Sequence, residues 1–282
     1  MKALLRDIAD FLLFGNFFIA LCAVAMTLQT CHLRYFSVAG SPILIFIFAA
    51  TFFLYNSHKF ITLYLKKEIP DHQRFIKIKR FNAPLSIFTF IALLLSFDTF
   101  MMFGMDIKRI VALVALLCLL YVLPLFKGKR LRDVPYLKIF LITSVWVSVC
   151  VVLPAIALGK DWWTTDAILA LEKAYFIFAL TIPFDIRDRA SDRNMGVKTI
   201  PLSINTEKAK KLAYFSLILS FLMAGILVFM KNYSFWTLFK IGISLVITYF
   251  IIKKTDDTKD DYFNAFQVDG MMLLQSLIVI LL

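Results

Sequence analysis

The sequence predicts an all-α fold, a polytopic membrane bundle of about nine transmembrane helices, and three observations predict it. Hydrophobic residues are 61% of the 282 and charged residues only 18%, against about a half and a quarter in an ordinary soluble domain. Mean hydropathy is +0.81 and phenylalanine alone occurs 30 times, more apolar surface than one soluble core can hide. Finally, nine separate runs reach the roughly 20 apolar residues that cross a hydrocarbon core of about 30 Å.

Those runs are 11–30, 41–65, 84–104, 108–126, 136–158, 166–187, 209–230, 235–252 and 264–282. Backbone polar groups in lipid must be satisfied within each segment, so helices are the architecture that this pattern allows. The first run follows Asp7 and Asp10 with no small-residue cleavage site, which reads as a retained helix rather than a signal peptide. Asn16 within it is expected to donate an interhelical hydrogen bond. The second and sixth runs continue into polar sequence at their C-terminal ends. Pro42, Pro154 and Pro183 lie inside or at the edges of runs, where a membrane helix tolerates them and kinks beside a cavity. Glu172 and Lys173, in the outer half of the sixth, are expected to pair with neighbours or snorkel outward. Cys22, Cys31, Cys118 and Cys150 have no metal-like spacing. No polar stretch is long enough for a separate soluble domain, so residues 1–282 read as a single membrane-embedded domain.

Lysine and arginine set the expected orientation. With residues within three positions of a run's end counted with the adjoining loop, twenty-three fall before the first run or after the second, fourth, sixth and eighth, and five fall on the other side. The positive-inside rule then puts the N-terminus in the cytoplasm and the C-terminus outside, with a bacterial inner membrane as the expected setting. The net charge of +12 becomes a property of one membrane face, and a nucleic-acid partner is not needed to explain it.

The residues that carry chemistry close the sixth run, from Phe184 to Pro201. On a continuing helix Asp185, Asp188 and Asp192 fall within an arc of about 60°. Three carboxylates on one face repel unless a cation lies between them, and hard oxygen ligands suit Mg²⁺, which bridges to substrate phosphates. Arg187, Arg189, Arg193 and Lys198 surround them and are suited to phosphate oxygens. The same pattern also reads as a salt-bridged helix exit in which alternating Asp and Arg solvate the chain; charge pattern alone leaves both open.

The spacing Asp-x-x-Asp-x-x-x-Asp-x-x-x-Gly-x-Lys-Thr-x-Pro after an apolar helix resembles the second aspartate-rich motif of the UbiA family of intramembrane prenyltransferases. The resemblance extends to the nine runs and to the basic loops after the second, fourth and sixth. It implies a UbiA-like bundle that moves a prenyl chain from a polyprenyl diphosphate to an aromatic, quinone-precursor-like acceptor within membrane lipid. It also implies Mg²⁺ held by Asp185, Asp188 and Asp192, with Asp188 and Asp192 as catalytic residues. Arg189 and Lys198 are implied diphosphate contacts.

At the end of the second run the family has a first motif, Asn-Asp-x-x-Asp-x-x-x-Asp, and here the sequence departs. Asn56 matches, but Ser57, Phe60 and Tyr64 occupy the three aspartate positions. In one reading His58 and Lys59 supply positive charge where a metal would sit, making Asn56 and Lys59 diphosphate contacts. In the other, Lys59 snorkels and the pocket binds a lipid without cleaving it. Tyr121 to Arg130 resembles the family's Tyr-x-x-x-Lys segment, with Lys127 in the lysine place and Leu123 replacing the tyrosine. Lys127 and Arg130 are candidate diphosphate contacts there, or headgroup contacts common to any basic juxtamembrane cluster. The acidic run Asp256–Asp261 reads as a solvated loop, and Asp269 as a candidate pocket residue. Two other functions remain in view, a catalytically impaired relative that binds prenyl lipid and a small-solute transporter. The absence of an evident internal repeat, and carboxylates at the mouth rather than the midplane, weigh against transport.

Overall fold

The computed structural model describes residues 2–34, 37–38, 41–65, 81–123, 130–157 and 164–282, and among them every regular element is helical. Helices α1 (Lys2–Phe14) and α2 (Phe17–Leu33) are followed by α3 (Ile43–Leu65), α4 (Asn82–Met101) and α5 (Met105–Val122). Then come α6 (Leu137–Ala157), α7 (Thr164–Arg187) and the short α8 (Arg189–Asn194) and α9 (Ile200–Ile204). The chain ends with α10 (Thr206–Phe229), α11 (Phe235–Lys253) and α12 (Phe263–Leu281). Seven of these are long and apolar enough to cross a membrane, or eight if α1 and α2 form one bent span. The expected run 108–126 is α5, whose first turn carries Asp106, Lys108 and Arg109 and so has an interfacial rather than a lipid-core composition.

Packing follows chain order around a ring. Helix α2 packs on α3 and α3 on α4; α5 touches α6, and α6, α7, α10, α11 and α12 pack in succession, with α12 returning to α2. Phe90 and Phe97 on α4, Phe215 on α10 and Phe239 on α11 point outward, a lipid-facing surface. Opposite the motif end, Arg34 pins α2 to α7 by donating to both carboxylate oxygens of buried Asp166, at 2.7 and 3.3 Å.

The sequence predicts a continuous first helix; the structure instead bends it by 56° between α1 and α2. Asn16 adopts the left-handed conformation, φ 67°, which no α-helix continues. A Cβ on Gly15 would run into Phe11 O and Leu85, so glycine is required before the break. Carbonyls freed by the break would be orphaned in an apolar bundle. Side chains of α3 take them up. Asn56 Nδ2 donates to Gly15 O (3.0 Å) and its Oδ1 accepts from Asn16 Nδ2 (2.8 Å), while Lys59 Nζ donates to Phe14 O and Asn16 Oδ1 (both 2.6 Å). Asn16 therefore makes the expected interhelical bond. Tyr262, the residue before α12, closes the same corner by donating to Asp10 Oδ1.

Glu172 and Lys173 do not snorkel. Both are fully buried and paired at 3.1 Å, with Lys173 donating to Gln275 Oε1 (2.9 Å) and Ser220 to Glu172 Oε1 (3.3 Å). This joins α7, α10 and α12. Pro154, which lacks an N–H, follows a π-helical turn at Ser148–Val152 in α6, the local widening that such a residue favours.

Asn56→Ala leaves Gly15 O and Asn16 Nδ2 without their α3 partners. It should destabilise the protein by about 2–4 kcal/mol, seen as a lower midpoint in thermal unfolding of detergent-solubilised protein.

Candidate functional site

Helix α7 stays regular through Arg187, and Asp188 then bridges to α8, whose backbone holds Asp192 through Asp192 N→Asp188 O at 2.8 Å. Helix α8 ends at Gly196, φ +69°, where Gly196 N donates to Arg193 O and Val197 N to Asp192 O. That left-handed closure reverses the chain so that Lys198 O accepts from Tyr136 N at 3.0 Å, just before α6. Tyr136 is itself left-handed, φ 64°, and the first turn of α6 is thereby set beside the carboxylates.

Two of the three motif aspartates meet on one cation. Lys138 Nζ lies 2.8 Å from Asp185 Oδ1 and 3.2 Å from Asp192 Oδ2, and all three side chains are buried. Asp188 is instead held by its neighbour, Arg187, through Nε (2.8 Å) and Nη2 (3.2 Å). Arg187 also stacks on Phe184 and reaches Asp261 at 3.7 Å. Arg189 donates to Thr206 Oγ1 (2.9 Å) and pairs with Asp257 at 3.5 Å. The acidic loop before α12 thus supplies counter-charges to both arginines at the motif.

The remaining expected contacts are placed differently. Asn56 and Lys59 serve the α1–α2 break. Arg130 forks onto Asp133 at 3.0 and 2.8 Å. Partial burial would raise the Asp133 carboxyl, but the Arg130 hydrogen bonds outweigh it and hold the group below its ordinary value. The Lys198 side chain is exposed, and Lys127 lies outside the described residues. Asp269, at the start of the regular part of α12, lies within electrostatic reach of Arg187 and Lys59. It is partly exposed, as are Tyr55 and Arg187. A surface groove of about 700 Å³ lies elsewhere, between α1 and the start of α12, lined by Leu13, Tyr262 and Phe266.

A family model described as the UbiA prenyltransferase family matches residues 82–270, more than half of the chain. The chain belongs to the UbiA prenyltransferase family. The matched region begins after α3 and so excludes the altered first motif. A UbiA homolog from Archaeoglobus fulgidus bound to GPP and Mg²⁺ has a TM-score of 0.66 at 13% identity, covering 97% of this chain and 100% of that one. The same homolog bound to DMAPP and Mg²⁺ gives 0.64 at 12% identity, with the same coverage. A structure of digeranylgeranylglyceryl phosphate synthase gives 0.58 at 16%, covering 97% and 96%. At such identities the likeness shows the UbiA fold. No curated relative matches the sequence.

For a divalent ion, the donors at Asp185, Asp188 and Asp192 are the right chemistry, and the ammonium of Lys138 is a stand-in that shows one cation is held between two of them. Among the described residues, no three His, Cys, Asp or Glu side chains converge as a preformed metal cluster. Helix α3 offers no carboxylate opposite. By sequence Lys138 reads only as a topology charge; the structure turns it onto the two carboxylates. Its one signal is an ionisable residue in the first turn of an apolar helix.

Gly196→Ala places a Cβ in the left-handed region and should cost about 1–2 kcal/mol, measured as a drop in thermal stability. The closure that positions Asp192 makes a parallel loss of ligand affinity the expected companion.

Proposed function

We propose that the chain transfers a prenyl group from a polyprenyl diphosphate to an aromatic acceptor within the membrane, at a site formed by the α7–α8 corner. The observation that carries this reading is the burial of Asp185 and Asp192 around a single cation at the end of an apolar helix, in a chain of the UbiA family. Buried carboxylates cost free energy unless a positive partner is present, and their retention here fits a site for cationic and phosphate chemistry. Asp185, Asp188 and Asp192 are the residues that would hold Mg²⁺, which when bound supplies charge neutralisation for the diphosphate. Arg189, Lys198, Lys127 and Arg130 are the proposed diphosphate contacts. Lys59 and Asn56 support them from α3 by fixing the corner of the bundle.

In the reaction the C1–O bond of the prenyl diphosphate breaks and its electron pair leaves on the diphosphate. The allylic carbon bonds to the acceptor ring, and the displaced ring proton leaves to water. Tyr55 and Trp146, which lie close together, are the proposed aromatic neighbours of the allylic cation. The proposed orientation puts this end of the bundle, with its basic loops, in the cytoplasm.

A second reading has its own observation. Asn56 and Lys59 are spent on the α1–α2 break, so a relative that binds prenyl lipid without cleaving it remains the alternative. Diphosphate release by purified protein with Mg²⁺, prenyl diphosphate and a panel of aromatic acceptors separates the two. Turnover lowered by about two orders of magnitude or more in Asp188→Ala supports the transferase; prenyl-lipid binding with no turnover on any acceptor supports the binder.

A further inference from the structure

We infer that Lys138 is a tethered counter-ion of the aspartate site, which holds a cation's place between Asp185 and Asp192 and yields it only when a diphosphate draws the ammonium away. Divalent ion and diphosphate then load together rather than one after the other. The inference rests on the reading that Asp185, Asp188 and Asp192 form a cation site, and it concerns how that site is filled.

The geometry supplies the argument. Asp185 and Asp192 are 3% and 1% exposed, so they cannot stand ionised side by side without a positive partner. Lys138 provides it at 2.8 and 3.2 Å from a different helix. Adding a divalent ion beside that ammonium would put like charges in one buried space. The ion must therefore compete with Lys138, unless an anion takes the ammonium in exchange. Diphosphate is such an anion.

Lysine suits this exchange. Its ammonium is a compact charge with rotating donors on a flexible stem, whereas a bidentate guanidinium holds a carboxylate in one geometry. The backbone beneath it is fixed by Tyr136, left-handed and bonded to Lys198 O. Only the side chain has to move, and the motif's own Lys198 segment forms the anchor. The lysine on the other side of the pocket is committed otherwise, since Lys59 bonds Phe14 O and Asn16 Oδ1, which no substrate replaces without opening the α1–α2 corner.

The test reads metal binding, not turnover. Purified full-length protein in detergent, free of any diphosphate, is titrated with Mn²⁺ by electron paramagnetic resonance for wild type, Lys138→Gln and Lys138→Arg. Lys138→Gln should bind Mn²⁺ about tenfold or more tighter than wild type, and Lys138→Arg should remain as weak as wild type. Equal affinities in wild type and Lys138→Gln overturn the inference. Should Lys138→Gln not fold, wild type alone decides. Its Mn²⁺ affinity must rise about tenfold when a non-hydrolysable prenyl thiolodiphosphate is bound, and an unchanged affinity overturns the proposal. A failed transferase reading would appear separately, as absent diphosphate release beside either metal result.

Discussion

Inside a bundle surrounded by hydrocarbon there is no water to satisfy a backbone carbonyl or a charge, so each must be matched by the protein itself. This chain meets that demand at three levels with the same device, a lysine bonded to groups from other helices. At the corner between α1 and α2, Lys59 and Asn56 satisfy the carbonyls that the left-handed Asn16 sets loose. In the bundle's interior Lys173 joins Glu172 to Gln275. At the motif Lys138 joins Asp185 to Asp192. Each of these contacts ties elements far apart in sequence, so the polar residues fix which helices meet while the apolar surfaces supply most of the burial.

The first of these ties explains how α3 relates to the site. The residues that resemble the family's first motif only in part are structural here: Asn56 is 1% exposed, and its amide nitrogen is divided between Gly15 O and Phe52 O. Phe60, at an aspartate position, packs into the apolar cluster around Phe14 and Phe52. The two sides of the proposed site are consequently unlike. All of its motif carboxylates stand on the α7–α8 side, and the α3 side contributes an amide and an ammonium turned toward the backbone. The acidic loop at Asp257 and Asp261 extends that asymmetry, since both pair with arginines of the same corner.

What the sequence made legible follows from period and length. Runs of about 20 apolar residues became helices because hydrocarbon admits little else, and the three aspartates were legible as a group because helical spacing aligns them. The break at Gly15-Asn16 was not legible. Two tolerated residues inside an apolar run look the same whether the helix continues or turns, and the deciding groups sit on α3. The role of Lys138 is not legible for a related reason. A lysine at a helix entrance satisfies the topology rule equally well whether it faces headgroups or a carboxylate. Only the chain reversal at Gly196, which brings Lys198 O to Tyr136 N, turns it inward. Arg130, a basic residue of the same kind, is engaged by Asp133 three residues on, a pairing that its charge alone does not reveal.

The two lysines at the pocket's ends therefore differ in what could displace them. A lysine bonded to main-chain carbonyls, as Lys59 is, loses its partners only if a helix moves. A lysine bonded to carboxylates can be replaced there by any cation, provided that its own charge finds an anion. In the proposed site, fixed positive charge on one side and exchangeable positive charge on the other would give a direction: an anionic headgroup would be drawn toward the side where charge can rearrange. That side is the α7–α8 corner, where the motif carboxylates, Arg187 and Arg189 already stand; with no carboxylate on α3, the charge of the proposed site rests on that one wall.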